Sequence, residues 1–291
     1  MIQLQPGADS APSRWFPAGT AGPATLVEHV IGTGVGRWWA DSVLQPQVVA
    51  VSCAGQVVLR GDPHALAQDS LAPFADSSVE APSCFLPVLR ASFETIEPEE
   101  RLVYAHLVFA SSRPRRPMHG VTVRRLVPAD AGALAALGPE AAWIHASWGG
   151  PAGLAAAGYG WAAIRRGRIL AVACTYFRGS AYEHVACAMV SGRRWEHLAH
   201  ACLTGLCEDI DARGRTATLS CSRDDRPGRL LAWTAGFRLQ REYVTYATGR
   251  PTATLHKAAQ GRRRESRSRE TGGPPTGVVA DSRRGAGRSA S

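Results

Sequence analysis

The sequence has very little lysine and no long apolar run. Only Lys257 among the 33 lysine and arginine residues is a lysine, an arginine bias that indicates a GC-rich coding sequence more than a set of bidentate phosphate contacts. No stretch reaches the roughly 18 apolar residues that a membrane-spanning helix needs. Residues 1–23 also lack the basic start and apolar centre of a signal peptide. We therefore expect a cytoplasmic protein with no membrane partner.

Metal-binding and disulfide patterns are also missing. The seven cysteines contain no C-x-x-C pair, and most stand in apolar surroundings, so we predict reduced, buried thiols without a disulfide framework or a zinc site. His197 and His200 lie on one predicted helix beside Glu196. A third ligand at a recognisable spacing is absent, so the sequence predicts no metal site.

The net charge of +9 comes mostly from the C-terminal tail. Residues 251–291 carry nine lysines and arginines against three acidic residues, which leaves the rest of the chain nearly neutral. The charge therefore does not predict a nucleic-acid partner, except weakly through the basic tail. Because arginine, glycine, serine and proline dominate there, we predict that residues 250–291 form a disordered tail.

A chain of 291 residues exceeds the usual size of one domain, so the sequence predicts two. Residues 1–23 are rich in proline and glycine and are predicted to be flexible. We place a smaller α/β domain at residues 24–110 and a second domain at 121–249. Between them, residues 111–120 are predicted to be a linker because prolines and arginines replace the apolar periodicity.

Hydrophobic periodicity predicts the elements of both domains. In the first domain it predicts helices at 26–31 and 63–71 and strands at 48–52, 56–60 and 102–109. In the second it predicts strands at 121–126, 160–164, 169–176, 182–190, 216–221 and 237–246, and helices after residue 130, at 194–213 and at 228–235. Helices that alternate with strands predict a mixed α/β fold.

The second domain carries motifs of a known family. Residues 124–130 follow the pattern R-x-L-x-P-x-D, and a Gly-Phe pair at 236–237 follows a predicted helix. With these motifs, residues 121–249 resemble the GNAT (N-acetyltransferase) superfamily. The resemblance implies a GNAT fold with a mixed central sheet, preceded by the smaller N-terminal α/β domain.

Further motifs resemble one branch, the zwittermicin-A-resistance type of acetyltransferase. They are GYGW at residues 158–161 and REYxxY at residues 241–246. The first domain is similar to the N-terminal half of that branch, since residues 39–63 show its succession of an aspartate, two strands and Gly-Asp-Pro.

The GNAT resemblance implies a site for acetyl-CoA, used as a co-substrate, at a strand end and a helix N-terminus whose amides face the phosphates. The family's loop is (Arg/Gln)-x-x-Gly-x-(Gly/Ala), often with a further glycine directly after the Arg/Gln. Arg194 and Ala199 fit this pattern, while Trp195 and His197 stand in glycine positions. Positive φ costs non-glycine residues roughly 1 to 2 kcal/mol, and His197 is a candidate donor that compensates. The residues expected to bind acetyl-CoA are Met189, Val190, Arg193, Arg194, Trp195, Glu196, His197, Leu198, Ala199 and Asp225.

Acetyl transfer to an amine needs a group that accepts the amine proton and a group that protonates the departing thiolate. Glu183 lies where related enzymes often have a carboxylate base, and we predict it as the base. His184 is its neighbour. Because successive side chains of a strand point to opposite faces, at most one of the two faces the cleft.

The proton donor departs from the family pattern. Many relatives use a tyrosine four residues before the Gly of Gly-Phe, where this chain has Ala232. We therefore predict Tyr243 as the acid, with Tyr182 and Tyr246 as alternatives. Tyrosines in such strands also commonly pack in a core.

These features imply an N-acetyltransferase that moves an acetyl group from acetyl-CoA to an amine of a small molecule or a peptide. The N-terminal domain is expected to help shape the acceptor cleft, because sites often form between domains. The replaced glycines and Ala232 leave an alternative, a GNAT-fold protein that binds a ligand or partner without catalysis. The fold itself does not name the acceptor.

Overall fold

In a computed structural model, the described residues form twelve strands and six α-helices. It describes residues 1–4, 15–17, 19–67, 69–107, 119–190 and 196–252. Met1–Thr252 is one compact unit. The predicted tail from residue 253 onward and most of the predicted linker lie outside the described residues.

The strands and helices have the following bounds. The strands are β1 (Ile2–Leu4), β2 (Arg37–Ala40), β3 (Val48–Cys53), β4 (Gln56–Gly61), β5 (Ser78–Glu80), β6 (Ile96–His106), β7 (Thr122–Arg125), β8 (Gly160–Arg165), β9 (Arg168–Arg178), β10 (Tyr182–Met189), β11 (Thr216–Ser222) and β12 (Phe237–Thr248). The helices are α1 (Ala24–Thr33), α2 (Leu86–Ser92), α3 (Ala131–Ala135), α4 (Pro151–Ala157), α5 (Glu196–Ala212) and α6 (Arg226–Thr234). None of the helices described is long and apolar enough to cross a membrane.

All twelve strands belong to one sheet, which runs across the predicted domain boundary. Its order is β1-β2-β3-β4-β5-β12-β6-β11-β10-β9-β8-β7. The pairs β4–β5 and β10–β11 are parallel, and the others are antiparallel, which confirms the predicted mixed sheet. Strand β6 belongs to the N-terminal half, yet it lies between β11 and β12 of the C-terminal half. The two halves are therefore built into each other.

Two tight hairpins fix the registers on either side of the sheet. The β3–β4 turn has Ala54 and Gly55 at φ 51° and 75°, and the β8–β9 turn has Arg166 and Gly167 at φ 49° and 75°. Positive φ at both central residues is the type I′ geometry that matches the twist of paired strands. Both turns join strands that the sequence predicted, at 48–52 and 56–60 and at 160–164 and 169–176.

Helices cover both faces of the C-terminal part of the sheet. Helix α5 packs on β8, β9, β10 and β11 and buries Leu203, Leu206 and Ile210 completely or nearly so. Helices α1, α3 and α4 share a second apolar cluster on the other face. Each fully buried leucine or isoleucine contributes roughly 1.5 to 3 kcal/mol to stability.

The structure corrects three predictions in the N-terminal half. The helix predicted at 63–71 is a single 3₁₀ turn, Pro63–Ala65, because Asp62 caps it and Leu66 is already extended. Residues 2–4, predicted to be flexible, form β1. The strand predicted at 102–109 begins earlier, at Ile96. Its first residues include Pro98, which is tolerated there because only β12 pairs with this part of β6.

We expect residues 119–252, expressed without the N-terminal half, to show no cooperative unfolding transition. Removing β6 takes the shared partner from both β11 and β12, and it exposes their backbone edges and the core beneath them. Urea unfolding followed by tryptophan fluorescence, with residues 1–252 as the control, measures this. An equal unfolding midpoint for the two chains would contradict the expectation.

Candidate functional site

The sheet opens between β10 and β11. These parallel strands pair at only three positions, Tyr182↔Thr216, Glu183↔Ala217 and His184↔Thr218. A bulge follows between His184 and Val185, where the register with β9 shifts. Beyond it, β10 continues beside β9 and β11 beside β6, so the two strands diverge. Bulges of this kind bend a strand and end its pairing.

The divergence leaves two strand edges facing each other. Within the described part of the chain, residues 185–189 of β10 pair only with β9. Residues 219–222 of β11 pair only with β6. Unpaired backbone N–H and C=O groups on such edges bind extended ligands by strand-like hydrogen bonds. Met189, which is exposed, and Val190 lie at the wide end of this gap.

The predicted phosphate loop is described only in part. Arg193, Arg194 and Trp195 lie outside the described residues, as does the side chain of Glu196. Helix α5 begins directly after them, and His197 in its first turn is partly exposed. The side chains of Leu198 and Ala199 are buried against the sheet. Their backbone amides are therefore the groups that remain available to a ligand, as the prediction of amides facing phosphate requires, and their role as ligand contacts stays a prediction.

Asp225 has a local structural role. Its carboxylate accepts a hydrogen bond from the backbone N–H of Gly228 at 2.9 Å and caps helix α6. An aspartate cap stabilises a helix by about 1 kcal/mol. On the same helix Ala232 is completely buried in the core. The described contacts of Asp225 therefore point to the helix and not to a ligand.

Glu183 is buried in an ion-pair cluster. Its Oε1 accepts hydrogen bonds from Arg213 Nε at 2.9 Å and from an Arg215 guanidinium nitrogen at 3.0 Å. Its Oε2 accepts from Arg213 at 2.7 Å and from Thr175 Oγ1 at 2.6 Å. An ionised carboxylate has about four acceptor sites, and all four are occupied. This placement corrects the predicted base, because no lone pair of Glu183 is free for a substrate proton.

His184 points to the opposite face of the sheet, as the alternation along a strand requires. It lines a crevice between the two halves of the chain and stacks against Phe177 with ring centroids 6.0 Å apart. Its Nδ1 is buried and has no hydrogen-bond partner among the residues that the structure describes. Burial, and secondarily the charge of Arg101, lower the pKa of His184 to about 4. The imidazole is therefore neutral at neutral pH.

Tyr243 lines the same crevice from β12. It is paired in register with Arg101 of β6, whose guanidinium interacts with its hydroxyl. Burial raises the pKa of Tyr243 despite the opposing effect of Arg101, so the hydroxyl keeps its proton. Of the alternative tyrosines, Tyr246 is buried in the N-terminal core.

The other side of the crevice comes from residues that the sequence did not single out. Glu80 of β5 and the start of α1 supply it from the N-terminal half, and Thr245 of β12 completes it. Glu80 and Thr245 face each other in the register of β5 and β12. They are far apart in the sequence, and no motif marks either. To find Glu80 and Thr245 from the sequence, one would have had to predict that β5 pairs with β12.

The described residues contain no group of three or more histidine, cysteine or acidic side chains able to hold a metal ion. Five of the seven cysteines are buried, as predicted. Cys84 is exposed and Cys187 is partly exposed.

Some known proteins are similar to this chain in sequence, and others are similar to it in fold. No family model matches the chain. It is 58% identical over 214 residues to an uncharacterized N-acetyltransferase in the mutA 5' region of Streptomyces virginiae, over 73% of this chain and 90% of that one. A GCN5-related N-acetyltransferase-like protein from Streptococcus suis 89/1591 superposes with a TM-score of 0.64 at 13% identity, over 81% of this chain and 96% of that chain. A tandem GNAT protein from the clavulanic acid biosynthesis pathway gives a TM-score of 0.53 at 12% identity, covering 84% and 96%.

Replacing Glu183 tests whether it is structural. We expect Glu183→Gln to lower the free energy of unfolding by roughly 3 kcal/mol, because it leaves two arginines without their buried partner. The effect lies at the low end of the usual range because the arginine side chains are 28% and 26% exposed. Urea unfolding measures it. Unchanged stability together with lost activity would instead favour the base role.

The buried neutral His184 predicts a pH dependence of stability. Its folded pKa of about 4 lies below its ordinary value of 6.5, so the unfolded chain binds the extra proton and stability falls as the pH drops from about 6.5 to about 4. Between about pH 7 and pH 4.5, His184→Gln should lose about 2 kcal/mol less than the wild type. His29, His106 and His145 stay in both proteins and cancel in this difference. Urea unfolding of both proteins at both pH values measures the loss of unfolding free energy. An equal loss in the wild type and in His184→Gln would contradict the prediction.

Proposed function

The chain belongs to the GNAT superfamily of N-acetyltransferases, and from this premise we propose that it transfers an acetyl group from acetyl-CoA to an amine of a small molecule or a peptide. The observation that carries the proposal is the gap between β10 and β11, which opens directly beside the crevice of His184 and Tyr243. An extended donor in the gap and an amine in the crevice would meet at the bulge after His184.

The gap fits the pantetheine arm of acetyl-CoA. The arm is extended and carries amide groups, and the facing edges of β10 and β11 offer unpaired backbone donors and acceptors. The first turn of α5 begins near the wide end of the gap, where helix amides favour phosphate. Met189, Val190 and His197 are the described residues that we propose to contact the co-substrate. When bound, acetyl-CoA supplies the thioester that the amine attacks.

His184 replaces Glu183 as the proposed proton acceptor. The acceptor nitrogen forms a bond to the acetyl carbon, the carbon–sulfur bond breaks, and the nitrogen must lose a proton. The neutral imidazole has a lone pair on one ring nitrogen, and no donor in the described part of the chain reaches Nδ1. Its position in the crevice, on the strand that borders the gap, supports this role.

Tyr243 is the proposed proton donor to the departing sulfur. A hydroxyl with a raised pKa remains protonated at neutral pH, and the neighbouring Arg101 stabilises the negative charge that develops when the proton leaves. Because Tyr243 lines the crevice from β12 and His184 lines it from β10, acid and base are separate groups. This division is what direct transfer requires, since one proton leaves the amine and one reaches the thiolate.

The test combines binding and turnover. We expect acetyl-CoA to bind in a calorimetric titration and free thiol to appear when a primary amine is added. His184→Ala should lower kcat by about 10² or more, the usual contribution of a general base, and leave acetyl-CoA affinity unchanged. His64→Ala, an exposed histidine outside the site, is the control. Absence of binding at millimolar acetyl-CoA would contradict the proposal that acetyl-CoA is the acetyl donor. Full activity of His184→Ala would contradict the proposal that His184 is the base.

A further inference from the structure

The strand order of the sheet is the same when it is followed from either edge. From the β1 edge it runs β1-β2-β3-β4-β5-β12, and from the β7 edge it runs β7-β8-β9-β10-β11-β6. Each strand of the first half therefore has a counterpart six strands later in the chain. The last strands, β6 and β12, are exchanged, because each lies beside the fifth strand of the other half. An approximate two-fold axis between β12 and β6 thus relates the two halves.

The strand directions and the helices repeat in the same way. In each half of the described sheet one pair of strands is parallel, and it is the fourth with the fifth, β4–β5 and β10–β11. Helix α1 follows β1 as α3 and α4 follow β7, and α2 precedes β6 as α6 precedes β12. Helices α1, α3 and α4 also pack in one buried cluster. The two halves therefore follow one structural plan.

This symmetry gives the gap between β10 and β11 a counterpart between β4 and β5. The last paired position before the first gap, His184↔Thr218, corresponds to Val58↔Glu80 in the N-terminal half. Beyond that position β11 continues as a strand over residues 219–222, whereas β5 ends at Glu80. An extended ligand would find two facing backbone edges in the first gap and only one in the second.

Side chains close the second gap on both faces of the sheet. Arg60, near the end of β4, forms an ion pair with Glu80 of β5 at 2.6 Å. On the other face Leu59 is buried in one cluster with Leu71 and Phe74, which are 0% and 1% exposed. Leu71 and Phe74 belong to the segment between β4 and β5, which corresponds to α5. Because side chains in such a core are close-packed, they fill the place that a pantetheine arm would need.

The N-terminal half also lacks the counterpart of the phosphate-binding helix. The described residues between β4 and β5 form two 3₁₀ turns, Pro63–Ala65 and Ala72–Phe74, where the C-terminal half has the 17 residues of α5. At the start of the first turn the Asp62 carboxylate accepts a hydrogen bond from the backbone N–H of His64 at 3.0 Å. This carboxylate occupies an amide that a phosphate would use, and its charge repels a phosphate.

The proton-accepting group is present in one half only. The counterpart of the proposed base His184 is Val58, and the counterpart of Glu183 is Val57. Both valines are 2% exposed, and neither side chain can accept a proton. A donor bound between β4 and β5 would therefore have no base at the position that His184 takes in the other half.

We propose that the chain is a duplicated GNAT unit in which only the C-terminal copy binds the donor, so that each chain holds one acetyl-CoA molecule, between β10 and β11. In the N-terminal copy an ion pair and core side chains fill the place of the donor. This copy contributes instead to the crevice, where β4 and β5 supply part of the wall. The inference rests on the proposed acetyl transfer and assigns the donor to one of the two halves.

Acetyl-CoA binding to the intact chain tests the inference. We expect equilibrium dialysis to give one acetyl-CoA molecule per chain at saturation. Hydrogen exchange measured by mass spectrometry locates the site. With acetyl-CoA at about 100 times its dissociation constant, exchange should slow by about tenfold or more at residues 185–190 and in the first turn of α5. The corresponding N-terminal segments, residues 59–66 and 70–75, are the matched control and should keep their exchange rates.

The possible failures are distinguishable. Two acetyl-CoA molecules per chain, or slower exchange at residues 59–66 and 70–75, would overturn the inference. One bound molecule located at 185–190, without thiol release when a primary amine is added, would support the assignment of the donor to the C-terminal copy and contradict acetyl transfer to that amine. No binding at millimolar acetyl-CoA would contradict the proposed function and the inference that rests on it.

Discussion

Strand β6 is inserted between β11 and β12, and this insertion joins the two halves of the chain into one sheet. One strand of the N-terminal half supplies hydrogen bonds to two strands of the C-terminal half. Strand β5 then continues the same sheet beyond β12. The crevice between the halves is therefore built on continuous backbone ladders and not on a mobile contact between two domains. Such a support can hold reacting groups in place, which catalysis by positioning requires.

The neighbours Glu183 and His184 show how one strand serves two purposes. Alternation sends Glu183 to one face, where Arg213, Arg215 and Thr175 saturate its carboxylate. The same alternation sends His184 to the other face, into the crevice. The ion pairs secure the closed end of the gap, and the bulge one residue later opens it. A residue that stabilises the strand thus stands directly beside the residue proposed to do chemistry.

Local patterns predicted the C-terminal half well, because its elements are set by short-range periodicity and by tight turns such as the one at Gly167. The sequence did not predict the start of β6, because Pro98 and the acidic residues around it are typical of a loop. This part of β6 is a strand because it pairs with β12, which lies far along the chain. The site was predicted only in outline. Glu183 fits the expected position in sequence, but its arginine partners come from residues that follow α5, and Glu80 reaches the crevice only through the pairing of β5 with β12.

The unpartnered polar atoms of the crevice lower the stability of the fold. Two buried acceptors without donors destabilise the fold by roughly 2 to 6 kcal/mol together, and an apolar pair of similar size at His184 and Thr245 would remove that cost. The neighbouring ion pairs show that this sheet satisfies its buried charge fully where no ligand is expected, as at Glu183. Among the described residues, similar unpartnered atoms also occur away from the crevice, on His145 and Ser147, but His184 Nδ1 and Thr245 Oγ1 both line it, where a bound ligand would supply their donors. A preorganised site accepts such a cost because the substrate supplies the missing donors.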